Sequence, residues 1–233
     1  MNLFYTPHIE GELLELDEME SKHAVRVLRL GIGDRIVLVD GLGGWFEATI
    51  EDDHPKRCKL RILTHRANYK PLTYGLHLAV SPTKNMDRYE WFLEKSTEIG
   101  ITEITPLICH RSERKQVKME RLEKILISAM KQSLKAFKPT LHPPLHLEDF
   151  LTRKADGIKG IAHCYPTNKP GVTELGSSDR YTMLVGPEGD FTEEEVRSAL
   201  KSGYTPFHLG RSRLRTETAA VYICTAVQLL QDS

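Results

Sequence analysis

Two short segments near the C terminus combine glycines with residue types that are suited to chemistry. The first runs from Val185 to Phe191 and places Pro187 and Glu188 between two glycines, after an apolar strand and before a helix. Ligands of open α/β sheets bind at the carboxyl ends of strands, where glycines let backbone groups approach a ligand closely. A plain strand-to-helix turn uses the same residue types. The segment has neither of the common glycine motifs for dinucleotides or phosphate, and it contains no lysine.

The second segment, from His208 to Ala219, again leaves a predicted strand through a glycine and has three arginines within five residues. Arginine binds anionic groups through paired hydrogen bonds, although a solvated basic loop has the same composition. Thr216 or Thr218 can cap the helix that follows, and Glu217 lies near the positive end of that helix. Together, the two glycine loops indicate a site for a small polar ligand beside an anionic substrate.

A third candidate is the basic stretch between residues 111 and 138. Nine lysines and arginines stand there against three glutamates, an excess of six positive charges in a chain with no net charge. This pattern is typical of the solvated face of a long helix or of a surface that follows phosphates. The basic residues are Arg111, Arg114, Lys115, Lys118, Arg121, Lys124, Lys131, Lys135 and Lys138.

The first 70 residues are predicted to form a small β-rich module. Ile36–Val39 and Trp45–Ile50 form a hairpin across a glycine-rich turn, and small modules of this kind close into barrels. Residues 21–30 are predicted to be helical, with a buried stripe and a basic exposed face. The stripe is Ala24, Val27 and Leu28, and the exposed basic residues are Lys22, Arg26 and Arg29.

Beyond Pro71 strands alternate with helices, which predicts a parallel sheet covered on both faces. The predicted strands are residues 76–80, 104–108, 158–164, 181–185 and 206–209. The predicted helices are residues 86–99, 118–137, 192–202 and 218–230.

Several classes of protein are excluded by what the chain lacks. No stretch approaches the roughly 18 apolar residues of a membrane span, and the N-terminal residues lack a signal-peptide pattern. The four cysteines are far apart without paired spacing, which argues against disulfides and against a zinc knuckle. None of the ten histidines falls in a metalloprotease motif, so no metal site is predicted. Reduced thiols favour a cytoplasmic protein.

The two glycine segments resemble the paired signatures of the RsmE family, the bacterial 16S ribosomal RNA uracil-N3 methyltransferases of the SPOUT class. Residues 84–106 resemble the family's first helix and second strand, Ala129–Ser133 its A-x-x-Q-S segment, and residues 23–34 its N-terminal module. The resemblance spans nearly the whole chain in the right order. One small departure is Asp190, which stands where the family commonly has a third glycine, and another is Arg211-Ser212 in a variable part of the second loop.

The resemblance implies an α/β fold with a SPOUT-type parallel sheet and a C-terminal trefoil knot over residues 71–233. A small PUA-like, RNA-binding β-barrel domain would precede it over residues 1–70. The implied cofactor is S-adenosyl-L-methionine, and the implied partners are 16S ribosomal RNA or the small ribosomal subunit and a second copy of the chain, with no metal and no membrane. The residues expected to bind the cofactor are Val185, Gly186, Pro187, Glu188, Gly189, Leu209, Gly210, Arg211, Leu214, Thr218 and Ala219.

The expected chemistry is methyl transfer to a uracil N3 that must first lose its proton. The site then needs a proton acceptor and a positive group beside the charge that develops on a uracil oxygen. Arg215 is the first choice for that positive group and Arg213 the second, while Glu217 would orient an arginine or accept the proton. The residues expected to bind RNA are Lys22, Arg26, Arg29, Arg111, Arg114 and Lys131.

Two other functions fit the same sequence. One is a SPOUT enzyme with a different target, such as a ribose 2′-OH of transfer RNA. The other is an RNA-binding assembly factor without catalysis.

Overall fold

The computed structural model describes residues 2–231 and divides into two compact units. The first contains the chain up to Pro71 together with Met130–Lys138, and the second contains Leu72–Ala129 and the chain from Pro139 onward. Residues 130–138 join the first unit because Phe137 bridges Gly41 and Leu42 there. The division differs from the predicted partition at residue 70 by this segment and by Pro71, which lies in the first unit.

The first unit is built on a five-stranded, largely antiparallel sheet in the order β1-β3-β4-β5-β2. Its strands are β1 (Leu3–Tyr5), β2 (Leu13–Glu15), β3 (Arg35–Val39), β4 (Trp45–Asp52) and β5 (Lys59–Arg66). The predicted hairpin is confirmed, since β3 and β4 pair in antiparallel register with Val39 opposite Trp45. Alternate side chains of these strands, including Leu38 and Ile50, form the buried core of the unit.

The segment predicted to be one helix has a different structure. Helix α1 (Glu18–Lys22) passes into a π-helical turn over His23–Val27. A π-turn contains more residues than an α-turn, and it rotates the following side chains outward. Ala24 is buried as predicted, but Val27 is 68% exposed and Leu28 is 37% exposed, so the predicted apolar stripe is wrong.

The predicted parallel sheet is present in the second unit, and its strand order is β12-β10-β11-β6-β7-β8. A short strand, β9, continues the pairing along β7 beyond β8. The strands are β6 (Gly75–Val80), β7 (Glu103–Ile108), β8 (Thr140–Leu141), β9 (Leu145–His146), β10 (Ile158–Ala162), β11 (Arg180–Val185) and β12 (Thr205–Phe207). The helices are α2 (Met86–Ile99), α3 (Met119–Gln132), α4 (Leu147–Leu151), α5 (Glu193–Lys201) and α6 (Thr216–Gln231), with a 3₁₀ turn at Val172–Leu175.

Both faces of this sheet are covered, which confirms the prediction. On one face Leu76, Leu78 and Val80 of β6 share a core with side chains of α2 and α6. On the other face Ala79 packs in a second core with Phe150 of α4. No helix among residues 2–231 is long and apolar enough to cross a membrane.

Helix α3 ends at Gln132, five residues before the predicted end at Phe137. Leu134 has φ +56°, a left-handed conformation that an α-helix does not continue. The N–H of Lys135 returns to the carbonyl of Met130 instead, at 3.0 Å. The proline at position 139 therefore follows the helix end rather than causing it.

Lys131, which the sequence placed on the RNA-binding surface, forms an ion pair inside the first unit. Its Nζ lies 2.5 Å from Glu20 Oε1, and the two side chains are only 18% and 5% exposed. Nζ also lies 5.7 Å from the centre of the Phe4 ring. We therefore assign Lys131 a structural role.

We expect Lys131→Met to destabilise the protein by about 3 kcal/mol, because it leaves the buried Glu20 carboxylate without its lysine partner. Adding Glu20→Gln should recover much of this loss. Lys124→Met, on an exposed position of the same helix, is the matched control and should change stability little. Denaturant unfolding of the full chain measures all three variants, and equal stability of Lys131→Met and Lys124→Met would contradict the assignment.

Candidate active site

The carboxyl ends of five parallel strands meet at one edge of the second unit's sheet. Ligands of open α/β sheets bind at this edge. The loops that leave it follow β6, β7, β10, β11 and β12 and comprise residues 81–85, 109–118, 163–171, 186–192 and 208–215. Both glycine segments of the sequence are among these loops.

A hydrogen bond joins the two glycine segments. Thr216 Oγ1 donates to the carbonyl of Gly186 at 3.0 Å, and both residues are buried. Thr216 is the first residue of α6, and the carbonyl of Arg215 accepts the N–H of Ala219 at 2.8 Å. The expectation that Thr216 or Thr218 caps the helix is therefore wrong, since Arg215 occupies the capping position.

The first glycine loop is shaped by close internal packing. A Cβ on Gly186 would lie 3.1 Å from two ring atoms of Phe191. Asp190 has φ +61°, a left-handed conformation that glycine adopts readily and that aspartate tolerates. Its carboxylate accepts the N–H of Cys164 at 2.8 Å, and Arg111 donates to the carbonyl of Gly189 at 2.8 Å. Arg111 thus braces this loop.

The second glycine loop is open. Gly210 has φ +99°, and a Cβ there would meet nothing within 4 Å. Within residues 2–231, the backbone N–H groups of residues 211–214 donate to no protein acceptor. These free donors fit a ligand that is bound through backbone groups. Arg211, Arg213 and Arg215 are exposed on the same loop.

Glu217 is buried in the first turn of α6, at 7% exposure. The helix dipole favours a carboxylate at this place. Its Oε1 lies 3.8 Å from Nε of Arg88, which comes from α2. Among the described residues, the Glu217 carboxylate forms an ion pair with Arg88 and none with Arg213 or Arg215. Sequence reasoning missed Arg88 as a site residue, although its place just after β6 and in the first turn of α2 was a usable signal.

A positively charged groove of about 460 Å³ adjoins the first glycine loop. It is lined by Lys84, Glu113, Arg114, Lys115 and Gln116. The backbone N–H of Lys84 donates to Oε1 of Glu188 at 2.9 Å, which links the groove to the loop.

The Lys84 ammonium lies 2.9 Å from Glu113, and this hydrogen bond raises the pKa of Lys84. Arg114 donates to the carbonyl of Lys84 at 3.0 Å. Three cations against one carboxylate suit the binding of phosphate groups.

The remaining basic residues of the sequence prediction lie on the first unit. Lys22, Arg26 and Arg29 are exposed, but they do not share one regular helix face. Lys22 ends α1 and pairs with Glu18 at 2.7 Å, whereas Arg29 has φ +57° beyond the π-turn.

Comparison with known proteins identifies the family of this chain. Residues 70–228 match the model of an RNA methyltransferase domain, and residues 16–63 match the model of an RNA methyltransferase PUA domain. The ribosomal RNA small subunit methyltransferase E of Rickettsia conorii is 32% identical over 95% of this chain and 91% of its own length. The chain belongs to the ribosomal RNA small subunit methyltransferase E family.

Solved structures of members and relatives of this family have the same fold. A probable rRNA methyltransferase from Porphyromonas gingivalis superposes with a TM-score of 0.94 at 38% identity, covering 100% of this chain and 99% of the other. The methyltransferase E of Neisseria gonorrhoeae, solved bound to S-adenosyl methionine, gives a TM-score of 0.90 at 29% identity, covering 99% and 98%. The first unit is accordingly PUA-like, and the second is an RNA methyltransferase domain.

Proposed function

We propose that this protein transfers the methyl group of S-adenosyl-L-methionine to N3 of a uracil in 16S ribosomal RNA. The observation that carries the proposal is the Thr216–Gly186 hydrogen bond, which joins the open arginine loop to the packed glycine loop at the ligand-binding edge. Family membership supports the reaction class, and a ribosomal RNA substrate supports our proposal that the protein acts in the cytoplasm. The knot implied by the resemblance would hold these loops together and is part of the proposal.

The proposed place of the cofactor is between the two glycine loops. S-adenosyl-L-methionine supplies a methyl group that is activated by a sulfonium and leaves a neutral thioether behind. The backbone N–H groups of residues 211–214 and the open face of Gly210 would bind its polar atoms. The expected contacts of Val185, Pro187, Glu188, Leu209, Leu214, Thr218 and Ala219 stay predictions.

Arg215 supplies the positive charge that the uracil needs. Its side chain is exposed and, among the described residues, makes no hydrogen bond or ion pair. A free guanidinium can donate to a uracil oxygen as negative charge develops there. Glu217 holds Arg88 at the edge of the same site as a positioning residue. Uracil N3 lies on a pairing edge, so the base must be unpaired or flipped out.

Loss of one modified nucleoside tests the function. Mass spectrometry of ribosomal RNA from a deletion strain should show that 3-methyluridine is missing, and the wild-type chain should restore it. Loss of a ribose 2′-O-methyl group instead would favour the transfer RNA type of target. Unchanged nucleosides together with failure to bind S-adenosyl-L-methionine would favour a non-catalytic assembly factor.

RNA binding is expected to be shared between the charged groove and the PUA-like unit. Two double variants test this: Arg114→Ala/Lys115→Ala in the groove and Arg26→Ala/Arg29→Ala in the PUA-like unit. Each should reduce the slope of log affinity for RNA against log salt concentration, by about one unit for every phosphate that the variant no longer neutralises. Lys201→Ala, an exposed lysine at the end of α5, is the control. If one double variant leaves the slope unchanged, the surface that carries its two substitutions does not bind RNA phosphates.

We also propose a homodimer through α6 and α2. Thr218, Tyr222 and Leu229 follow one face of α6 at helical spacing, and Tyr222 is 47% exposed. Trp91 is likewise exposed on α2, which packs against α6. An exposed aromatic face of this kind marks an interaction surface.

Sedimentation equilibrium at micromolar concentration should therefore give twice the 26.5 kDa chain mass. Tyr222→Lys should weaken the dimer at least tenfold, whereas Leu200→Lys, at an exposed leucine of α5, should not. A stable monomer of the wild-type chain would reject the dimer.

A further inference from the structure

The sheet of the second unit brings three potential metal ligands together at the amino end of its strands. His77 is the third residue of β6, Glu103 is the first residue of β7, and the two are register partners. His142 follows β8 directly, and its N–H donates to the carbonyl of Ile104 at 2.8 Å. The cluster lies at the opposite end of the strands from the methyl-transfer site.

The side-chain atoms of the cluster converge on one point. Nε2 of His142 is 2.8 Å from Oε2 of Glu103, and Nδ1 of His77 is 4.0 Å from the same oxygen. One nitrogen or oxygen from each of the three residues lies within 4.8 Å of the others. Donors around a tetrahedral Zn²⁺ are roughly 3.4 Å apart, given bonds of about 2.0–2.2 Å. Side-chain shifts of roughly half an ångström to one ångström would bring these atoms to bonding distance.

A fourth residue holds the His77 ring in a ligating orientation. Its other nitrogen, Nε2, is 2.8 Å from Oγ1 of the fully buried Thr105. Donation from Nε2 to this hydroxyl leaves the lone pair of Nδ1 directed toward Glu103. Ligating histidines characteristically donate their other N–H in this way, which fixes the tautomer and the ring. The His77 ring also packs against Phe150 in a T-shaped arrangement, with the ring centroids 5.3 Å apart.

We propose that His77, Glu103 and His142 bind one Zn²⁺ ion that clamps β6, β7 and β8 together. A set of two imidazoles and one carboxylate binds Zn²⁺ in preference to Mg²⁺ or Ca²⁺. The side chains of His77, His142 and Glu103 are 16%, 26% and 37% exposed, so an ion and a water ligand can enter. The site stands apart from the methyl transfer, at the other end of the strands.

Titration of the EDTA-stripped full chain with ZnCl₂ tests the proposal. Titration calorimetry should show that one equivalent of Zn²⁺ binds tightly. Differential scanning calorimetry should show that bound Zn²⁺ raises the melting temperature. MgCl₂ should produce neither effect. Co²⁺ at the same stoichiometry should give the visible absorption bands of a tetrahedral site.

Matched variants separate this cluster from incidental histidine binding. His142→Gln and Glu103→Gln should abolish the tight equivalent, and Thr105→Val should weaken it roughly tenfold or more. His146→Gln, at an exposed neighbouring histidine outside the cluster, should leave it unchanged. Absence of a stoichiometric equivalent, or equal affinity in wild type and folded Glu103→Gln, would overturn the proposal.

Discussion

Arg215→Ala should lower the turnover of methyl transfer by about a hundredfold or more, the scale observed when one donor to a developing oxyanion is removed. The guanidinium is exposed and, among residues 2–231, has no other hydrogen-bond or ion-pair partner. Arg215→Lys should recover little turnover, because an ammonium cannot reproduce the two parallel donors of the guanidinium. Cofactor affinity should barely change.

A purely bracing role for Arg215 makes a different prediction. If Arg215 only stabilised the loop by pairing with Glu217, Arg215→Ala would have a lower melting temperature but would keep its turnover at low temperature. In the structure the Glu217 carboxylate instead pairs with Arg88, with 3.8 Å between Oε1 and Nε. Arg197→Ala, at an exposed arginine of α5 that pairs with Glu193, is the control for loss of a surface charge. Turnover and melting temperature measured on the same purified variants decide between the two roles.

Gly186→Val should weaken S-adenosyl-L-methionine binding by at least tenfold, which corresponds to about 1.4 kcal/mol. Even its Cβ would lie 3.1 Å from the ring of Phe191, which is fully buried. Either the Phe191 ring or the glycine loop must then give by a few tenths of an ångström, and a shift of the loop would carry with it the carbonyl that accepts from Thr216. Calorimetric titration with the cofactor measures the loss.

A smaller change keeps this test informative if the valine variant fails to fold. Gly186→Ala introduces only the crowded Cβ, while Gly75→Ala places a Cβ at an ordinary contact of 3.7 Å at the other end of the strands. We expect the first to weaken cofactor binding and the second to leave it unchanged. Equal cofactor affinity in these two variants and in wild type would show that the loop is not the cofactor site.

Local patterns in the sequence were sufficient for most elements of the second unit. The span of α2, Met86–Ile99, is as predicted, and α5 begins after Thr192 with the predicted capping box to Glu195. These features depend on residues within one or two turns of each other, which periodicity and capping rules describe directly. The glycine segments were visible for the same reason, because the residues of each loop are neighbours in the chain.

The errors arise where backbone conformation departs from a regular period. The π-turn at His23–Val27 exposes Val27, and the left-handed Leu134 ends α3 early. Both positions carry ordinary helix-compatible residues, so nothing in their types predicts the change. Tertiary packing, which local residue types do not record, can favour such conformations.

What the sequence by itself determined is the alternation of the main strands and helices of the second unit, the two glycine loops and the family resemblance. Only the tertiary structure decided which distant side chains meet: Arg88 with Glu217, Thr216 with Gly186, and His77 with Glu103 and His142. The physical reason is that strand order and register in a parallel sheet are set by packing over the whole domain. Residues far apart in the chain become neighbours through that register, and no local pattern records it.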